Sequence, residues 1–162
     1  LLEMNMFGFG NNAKVKKIFS RLNQVEYFGT KTAEEIVPKS MIENLLNYSA
    51  DVETVVAMFC ISRQAQMAEG FHEKVQYEEM VEEFNEMAQQ KGITFGEVFK
   101  DQVDGQVDSA NQYSDKLAKR FESGELDGTP MVREYCSDQA VKMITAWIMY
   151  RTKIREAANY FD

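Results

Sequence analysis

A chain of 162 residues that is 44% apolar and 27% charged has the size and composition of one globular domain with a buried core. Its net charge of −8 disfavours binding to bare nucleic acid, because phosphate binding needs clustered Lys and Arg. No apolar run approaches the roughly 20 residues of a membrane-spanning helix, and no secretory signal pattern is evident, so we expect a cytoplasmic protein.

The negative charge is concentrated in the middle of the sequence. Residues 1–50 carry a formal charge of +1, residues 51–110 carry −9, and residues 111–162 carry 0. An acidic surface attracts cations and basic proteins, and it repels nucleic acid. The sequence therefore predicts a basic protein as partner and no nucleic-acid partner.

The first predicted helix covers residues 13–28, where apolar residues recur at helical spacing and the cations lie mostly off the apolar stripe. The stripe consists of Val15, Ile18, Phe19, Leu22, Val25 and Phe28. Gly29 is expected to end this helix. Residues 1–11 are expected to form a loose N-terminal segment, partly of cloning origin, because the chain opens with Leu1 and a native start at Met4 or Met6 would fit.

A capping box and a proline define the next elements. Thr32 and Glu35 have the capping-box spacing and open a second helix. Pro38 follows within the same helical pattern, so this helix is either kinked at the proline or divided into two pieces.

The third and fourth predicted helices meet near Gly70. The third is capped by Ser49 or Asp51, is apolar on nearly all sides, and is expected to run to about Glu69. The helical projection of the fourth fails when it is extended backward, so the register should change between Gly70 and Gln76 as a kink or a short break.

The fourth helix has two chemically different sides. At 100° per residue its apolar residues fall within about 120° of one another, and its glutamates lie opposite. Lys91 and Gly92 are expected to close it. The acidic side consists of Glu78, Glu79, Glu82, Glu83 and Glu86.

Two longer helices complete the chain. Thr94 and Glu97 form a second capping box, and the helix that follows should run for about 28 residues. The loop at residues 123–128 precedes a last helix with Pro130 at its first position. Helical segments joined by short loops, without an alternating strand pattern, predict an all-α fold: a single-domain bundle of about six helices over residues 1–162.

The acidic side of the fourth helix is the first candidate site. Its five like-charge pairs at i,i+3 and i,i+4 spacing cost about 1–2.5 kcal/mol at low salt, and a fold stable by about 5–15 kcal/mol tolerates that repulsion. Three interpretations remain open: a solvated helix face, a docking surface for a basic protein, and a cation site. We expect the five glutamates to bind a partner by steering it and by contacting its edge.

A weaker candidate is a metal site built on Glu69 and His72. Their Glu-x-x-His spacing occurs twice in di-iron carboxylate bundles, where glutamates of other helices complete the site. Here the motif occurs once, and His72 is the only histidine. Cys60 and Cys136 lack an electropositive setting, and no phosphate-binding loop is present. The sequence therefore favours a protein without enzymatic activity or a cofactor.

Three functions follow from these observations. The leading hypothesis is a small acidic interaction module, of the adaptor, inhibitor, immunity or regulatory type, that engages a basic partner through the acidic helix. The alternatives are a ligand- or metal-binding bundle and a peripheral membrane protein anchored by the basic amphipathic helix at residues 13–28. That helix could also pair with the acidic face of a second copy, so a homo-oligomer stays open.

Overall fold

A computed structural model describes the backbone of residues 2–159 and the side chains of residues 11–159. Within this range the chain forms helices and no strand, which confirms the predicted all-α class. The helices are α1 (Leu2–Val25), α2 (Ala33–Ile36), α3 (Lys39–Leu46), α4 (Val52–Lys74), α5 (Tyr77–Lys91), α6 (Phe95–Phe99), α7 (Gly105–Glu122) and α8 (Pro130–Ala157). A π-helical segment, Lys100–Asp104, joins α6 to α7 without a break.

The residues group into two compact units. Unit 1 contains residues 1–62 and 117–136, and unit 2 contains residues 63–116 and 137–162. The boundaries fall inside α4, α7 and α8. The prediction of one domain over residues 1–162 stays a prediction.

In unit 1, helix α1 is longer than the sequence suggested. It begins at Leu2, whereas the sequence suggested a loose segment over residues 1–11. Gly8 and Gly10 lie within the helix, because a glycine costs only about 1 kcal/mol relative to alanine and does not stop a helix as proline does. The helix ends at Val25 rather than Phe28, and Gly29 turns the chain with a φ of 71°.

The predicted caps of unit 1 are present. The backbone N–H of Thr32 donates to the Glu35 carboxylate at 3.0 Å, and α2 ends before Pro38, after which α3 starts as a separate helix. Asp51 caps α4, since its Oδ2 accepts from the backbone N–H of Thr54 at 2.9 Å. These contacts confirm the division at Pro38 and select Asp51 over Ser49 as the cap.

A buried hydroxyl ties the start of α4 to the loop before α8. Thr54 is fully buried, and its Oγ1 donates to Asp51 Oδ2 and accepts from the backbone N–H of Asp127, both at 2.7 Å. Ser49, also buried, donates to the Asp127 carboxylate at 2.8 Å. The loop is therefore held by hydrogen bonds to two buried side chains, Ser49 and Thr54.

In unit 2, α4 continues to Lys74, four residues beyond Gly70, near which the sequence placed the end of this helix. Buried Ala65 and Ala68 precede the glycine, and the Phe71 ring packs on aromatic neighbours after it, so packing on both sides holds the turn. The break lies at residues 75–76, inside the predicted interval. Helix α5 then starts at Tyr77, and α4 and α5 are separate helices.

The π-helical segment of unit 2 has no counterpart in the sequence prediction. It contains buried Val103 and half-buried Asp104, whose carboxylate faces two arginines of α8. Arg151 Nη1 lies 3.6 Å from Oδ1 and Arg155 Nη2 lies 3.8 Å from Oδ2, which are ion-pair distances beyond hydrogen-bond range. The Arg155 guanidinium also covers the Phe99 ring at 5.0 Å. The segment is thus held on α8 by charge.

Some residues of the predicted core stripes are exposed. They lie at or near helix ends or in a short helix: Val25 closes α1, Met41 belongs to the eight-residue α3, and Met131 is in the first turn of α8. A helix end has neighbours on one side only, so a residue on the apolar stripe there can stay in water.

Candidate interaction surface

The five glutamates predicted as a site share one side of α5. All five are exposed, whereas Val81, Phe84 and Ala88 on the opposite side are buried in a core cluster of unit 2. The helix ends at Gly92, which has a left-handed φ of 66°. This arrangement confirms the two-sided projection. We call the side formed by Glu78, Glu79, Glu82, Glu83 and Glu86 the acidic face.

The carboxylates of the acidic face form no salt bridge or hydrogen bond with any residue whose side chain is described. Elsewhere the chain does pair its carboxylates: Arg21 Nε lies 2.6 Å from Glu53 Oε1 in unit 1. Because the charges of the acidic face are not neutralised by described neighbours, they are available to a cationic group from outside the chain.

The unit that carries the acidic face is strongly acidic as a whole. Unit 2 has nine Lys and Arg against fifteen Asp and Glu, which gives a net charge of −6 of the total of −8. Several α5 glutamates face water together, and a field of this sign raises the local concentration of basic molecules.

The two residues of the alternative metal site, Glu69 and His72, differ in their surroundings. Glu69 is exposed on α4, and half-buried His72 is engaged by Tyr77: the tyrosine hydroxyl donates to the main-chain carbonyl of His72 and lies 2.7 Å from its Nδ1. Residues with described side chains include no group of three or more His, Cys, Asp or Glu that could hold a metal ion.

An aromatic cluster beside α5 escaped the sequence prediction. Phe71 lies 5.1 Å from Tyr150 and 5.7 Å from Trp147, and Tyr77 lies 5.8 Å from Tyr150, measured between ring centroids. Phe71 is nevertheless 42% exposed, while Tyr150 is only 2% exposed. A bulky apolar residue next to Gly70, where the helical projection failed, was the available signal.

Helix α5 begins beside this cluster, because its first residue, Tyr77, contacts Tyr150. Burial, the Tyr77 hydroxyl and the negative charge of Glu83, in that order, raise the pKa of Tyr150 to about 12. Negative charge opposes the loss of a proton from a phenol. The helix that carries the acidic face therefore starts at the aromatic cluster.

Neither of the two cysteines, Cys60 and Cys136, forms a disulfide, and both are buried. Burial raises the pKa of the Cys136 thiol to about 11, so this thiol stays protonated at neutral pH. A protonated, buried thiol is a poor nucleophile. Cys136 therefore offers no support for covalent catalysis.

Most of the apolar stripe of helix α1, the candidate membrane anchor, is buried inside unit 1. Val15, Ile18 and Leu22 are buried, and exposed Lys16 and Lys17 lie off the stripe. The side chains of residues 2–10, including Phe7 and Phe9, lie outside the described residues. None of the helices described here is both long enough and apolar enough to cross a membrane.

Comparison of this chain with protein-family models, with curated proteins and with solved structures gave no match.

Proposed function

We propose that this chain is a small cytoplasmic interaction module, of the adaptor, inhibitor, immunity or regulatory type, that engages a basic protein through the acidic face of α5. The observation that carries the proposal is the placement of five exposed carboxylates, without ionic partners among the described residues, on a helix whose other side is buried. Neither enzymatic activity nor a cofactor is part of the proposal.

The support is electrostatic and mechanical. Charges at the edge of an interface mainly raise the rate of encounter, and they do so most at low salt. Helix α5 holds its charges on a rigid support, because Val81, Phe84 and Ala88 anchor it in the core and Gly92 fixes its end. A rigid array of carboxylates loses little conformational freedom when a cationic surface approaches.

Charge reversal tests the proposal. The variant Glu79→Lys/Glu83→Lys should capture the partner more slowly than the wild-type chain at low salt, since two attractive charges become repulsive. Affinity capture from a lysate of the native host, with quantitative mass spectrometry, identifies the partner. Association rates with the purified partner are then measured at low and high salt, and circular dichroism checks the helix content.

A matched control separates the acidic face from net charge. Asp108→Lys/Asp115→Lys makes the same change in net charge on exposed positions of α7. We expect its association rate to stay close to that of the wild type. Equal rates for Glu79→Lys/Glu83→Lys and the wild type at low salt would remove the proposed function.

A further inference from the structure

Helix α4 exposes two large apolar side chains one turn apart. Met67 is 60% exposed and Phe71 is 42% exposed, and their i,i+4 spacing places them on the same side of the helix. We call these two residues the apolar patch. Exposed apolar side chains that adjoin one another on a rigid support are typical of binding surfaces, whereas single ones are ordinary.

The apolar patch is supported from behind. Trp147 and Tyr150 contact the Phe71 ring at centroid distances of 5.7 and 5.1 Å, so the ring is held while part of its surface stays in water. A ring held in place loses little rotational freedom on binding. Met67 next to it is flexible and adapts its shape to a partner. The pair combines a fixed anchor with an adjustable one.

The chemistry of the surroundings defines what would cover the patch. Tyr150 is in contact with Phe71 and with Tyr77, and Tyr77 is the first residue of the helix that carries the acidic face. Burial, the Tyr77 hydroxyl and the charge of Glu83 raise the pKa of Tyr150 to about 12. A complementary partner must present apolar groups beside cations.

We propose that the apolar patch is the docking site of a basic amphipathic helix from the partner protein, whose cations contact the acidic face. An apolar pair one helical turn apart matches apolar residues at i and i+4 on a second helix. A flexible methionine, an aromatic ring and surrounding carboxylates suit a helix with an apolar side and a lysine-rich side. This inference rests on the proposed function, because it names the part of the partner that the acidic face attracts.

Two other occupants fit the surface less well. A second copy that offers its basic helix α1 would first have to uncover the apolar residues Val15, Ile18 and Leu22, which are buried in unit 1. A membrane surface with anionic lipids would repel unit 2, whose net charge is −6. A separate basic protein meets both requirements of the site.

The direct probe is a synthetic helix of leucine and lysine, about 20 residues long so that it can form a stable helix. Its leucines occupy one face, and a permuted peptide of the same composition has no apolar face. Neither peptide contains tryptophan, so emission from Trp147, the only tryptophan of the chain, reports whether the patch is covered. We expect the amphipathic peptide to bind at least about tenfold more tightly than the permuted one and to shift the Trp147 emission to shorter wavelength.

Variants of the patch separate docking from steering. Met67→Glu and Phe71→Ser should raise the dissociation rate of the amphipathic peptide about tenfold. Phe71→Ser changes no charge, so it should also leave the salt dependence of association unchanged. Val141→Glu is the matched control for Met67→Glu, because Val141 is also 60% exposed and lies outside the aromatic cluster. Met67 is exposed enough for its variant to fold even if Phe71→Ser does not.

The outcomes distinguish the two proposals. If Glu79→Lys/Glu83→Lys slows association while Met67→Glu and Phe71→Ser dissociate at the wild-type rate, the proposed function stands and the docking site is overturned. If none of these variants differs from the wild type, both are overturned. Equal affinity for both peptides, or self-association or vesicle binding that Met67→Glu abolishes, would also overturn the docking site.

Discussion

Glutamine in place of Glu82 should stabilise the protein at low salt. Glu82 is exposed on α5, with Glu78 and Glu86 four residues away and Glu79 three residues away. It therefore takes part in three of the five like-charge pairs of the acidic face. Glutamine keeps the size and the helix propensity of glutamate while it removes the charge, so the variant removes repulsion and little else.

The expected gain follows from the three pairs. A like-charge pair at helical spacing costs about 0.2–0.5 kcal/mol, so Glu82→Gln should raise the free energy of unfolding by about 0.6–1.5 kcal/mol. Salt screens charges on an exposed helix, and the gain should shrink toward zero near 1 M salt, where the screening length is about 3 Å. Urea titration at low and high salt, followed by circular dichroism, measures both quantities.

Glu43→Gln provides the control with opposite sign. Glu43 lies 3.8 Å from Lys39 at i,i+4 spacing on α3, so the same substitution removes an attraction and should cost about 0.3–0.5 kcal/mol. The reasoning fails if Glu82→Gln leaves stability unchanged at low salt or if its gain does not depend on salt. Either result would mean that the carboxylates of α5 do not repel one another in the folded chain.

Three further predictions concern the fold. Gly70→Ala should raise the free energy of unfolding by about 0.5–1 kcal/mol, since a Cβ there meets no atom within 4 Å. Gly92→Ala should lower the free energy of unfolding by about 1 kcal/mol, because the φ of 66° strains an alanine. Urea titration of both variants checks the two signs. Thr54→Val should cost about 1–3 kcal/mol, because the N–H of Asp127 loses the buried hydroxyl that accepts from it, and Thr54→Ser should retain that hydrogen bond. Cys136 should leave the stability of the wild-type chain unaffected below pH 9.0. The stability should fall as the pH rises toward about 11, because the thiol of the unfolded chain releases its proton first. In Cys136→Ala, the dependence of stability on pH between these values should be flatter.

The elements that local chemistry determines were predictable from the sequence. Thr94 and Glu97 form the predicted capping box, with the Glu97 N–H donating to Thr94 Oγ1 at 3.1 Å. Gly92 ends α5 and Pro130 begins α8, as the sequence predicted. Capping residues act on the backbone within three or four positions, so their effect can be read without knowledge of the rest of the fold.

The π-helical segment depends on packing that the sequence does not state. Phe99, Val103 and Val107 are buried at successive spacings of four residues. On an α-helix each such step turns the apolar stripe by about 40°, and a π segment takes up part of that rotation. The spacing is visible in the sequence, but the ion pairs of Asp104 with Arg151 and Arg155 come from a helix that follows much later in the chain.

The candidate site likewise has one part that the sequence predicts and one part that it does not. The acidic face was predictable because all five glutamates belong to one helix and one period. The apolar patch was not, because Met67 and Phe71 look like ordinary residues of a buried helix, and their exposure depends on which neighbours reach them. Trp147 and Tyr150 reach the back of the Phe71 ring from a helix some 70 residues away in sequence and leave its other side open.

Stability alone gives no reason for the acidic face. Its five like-charge pairs cost about 1–2.5 kcal/mol at low salt, and no described neighbour returns that energy through an ion pair. Lysine at Glu82 would form attractive pairs with Glu78 and Glu86 on the same exposed helix, so the fold would accept the opposite charge at a gain. A surface that costs stability without structural compensation is expected where a partner supplies the compensation. The apolar patch supports the same conclusion, because its apolar area is likewise left uncovered by the described residues of unit 2.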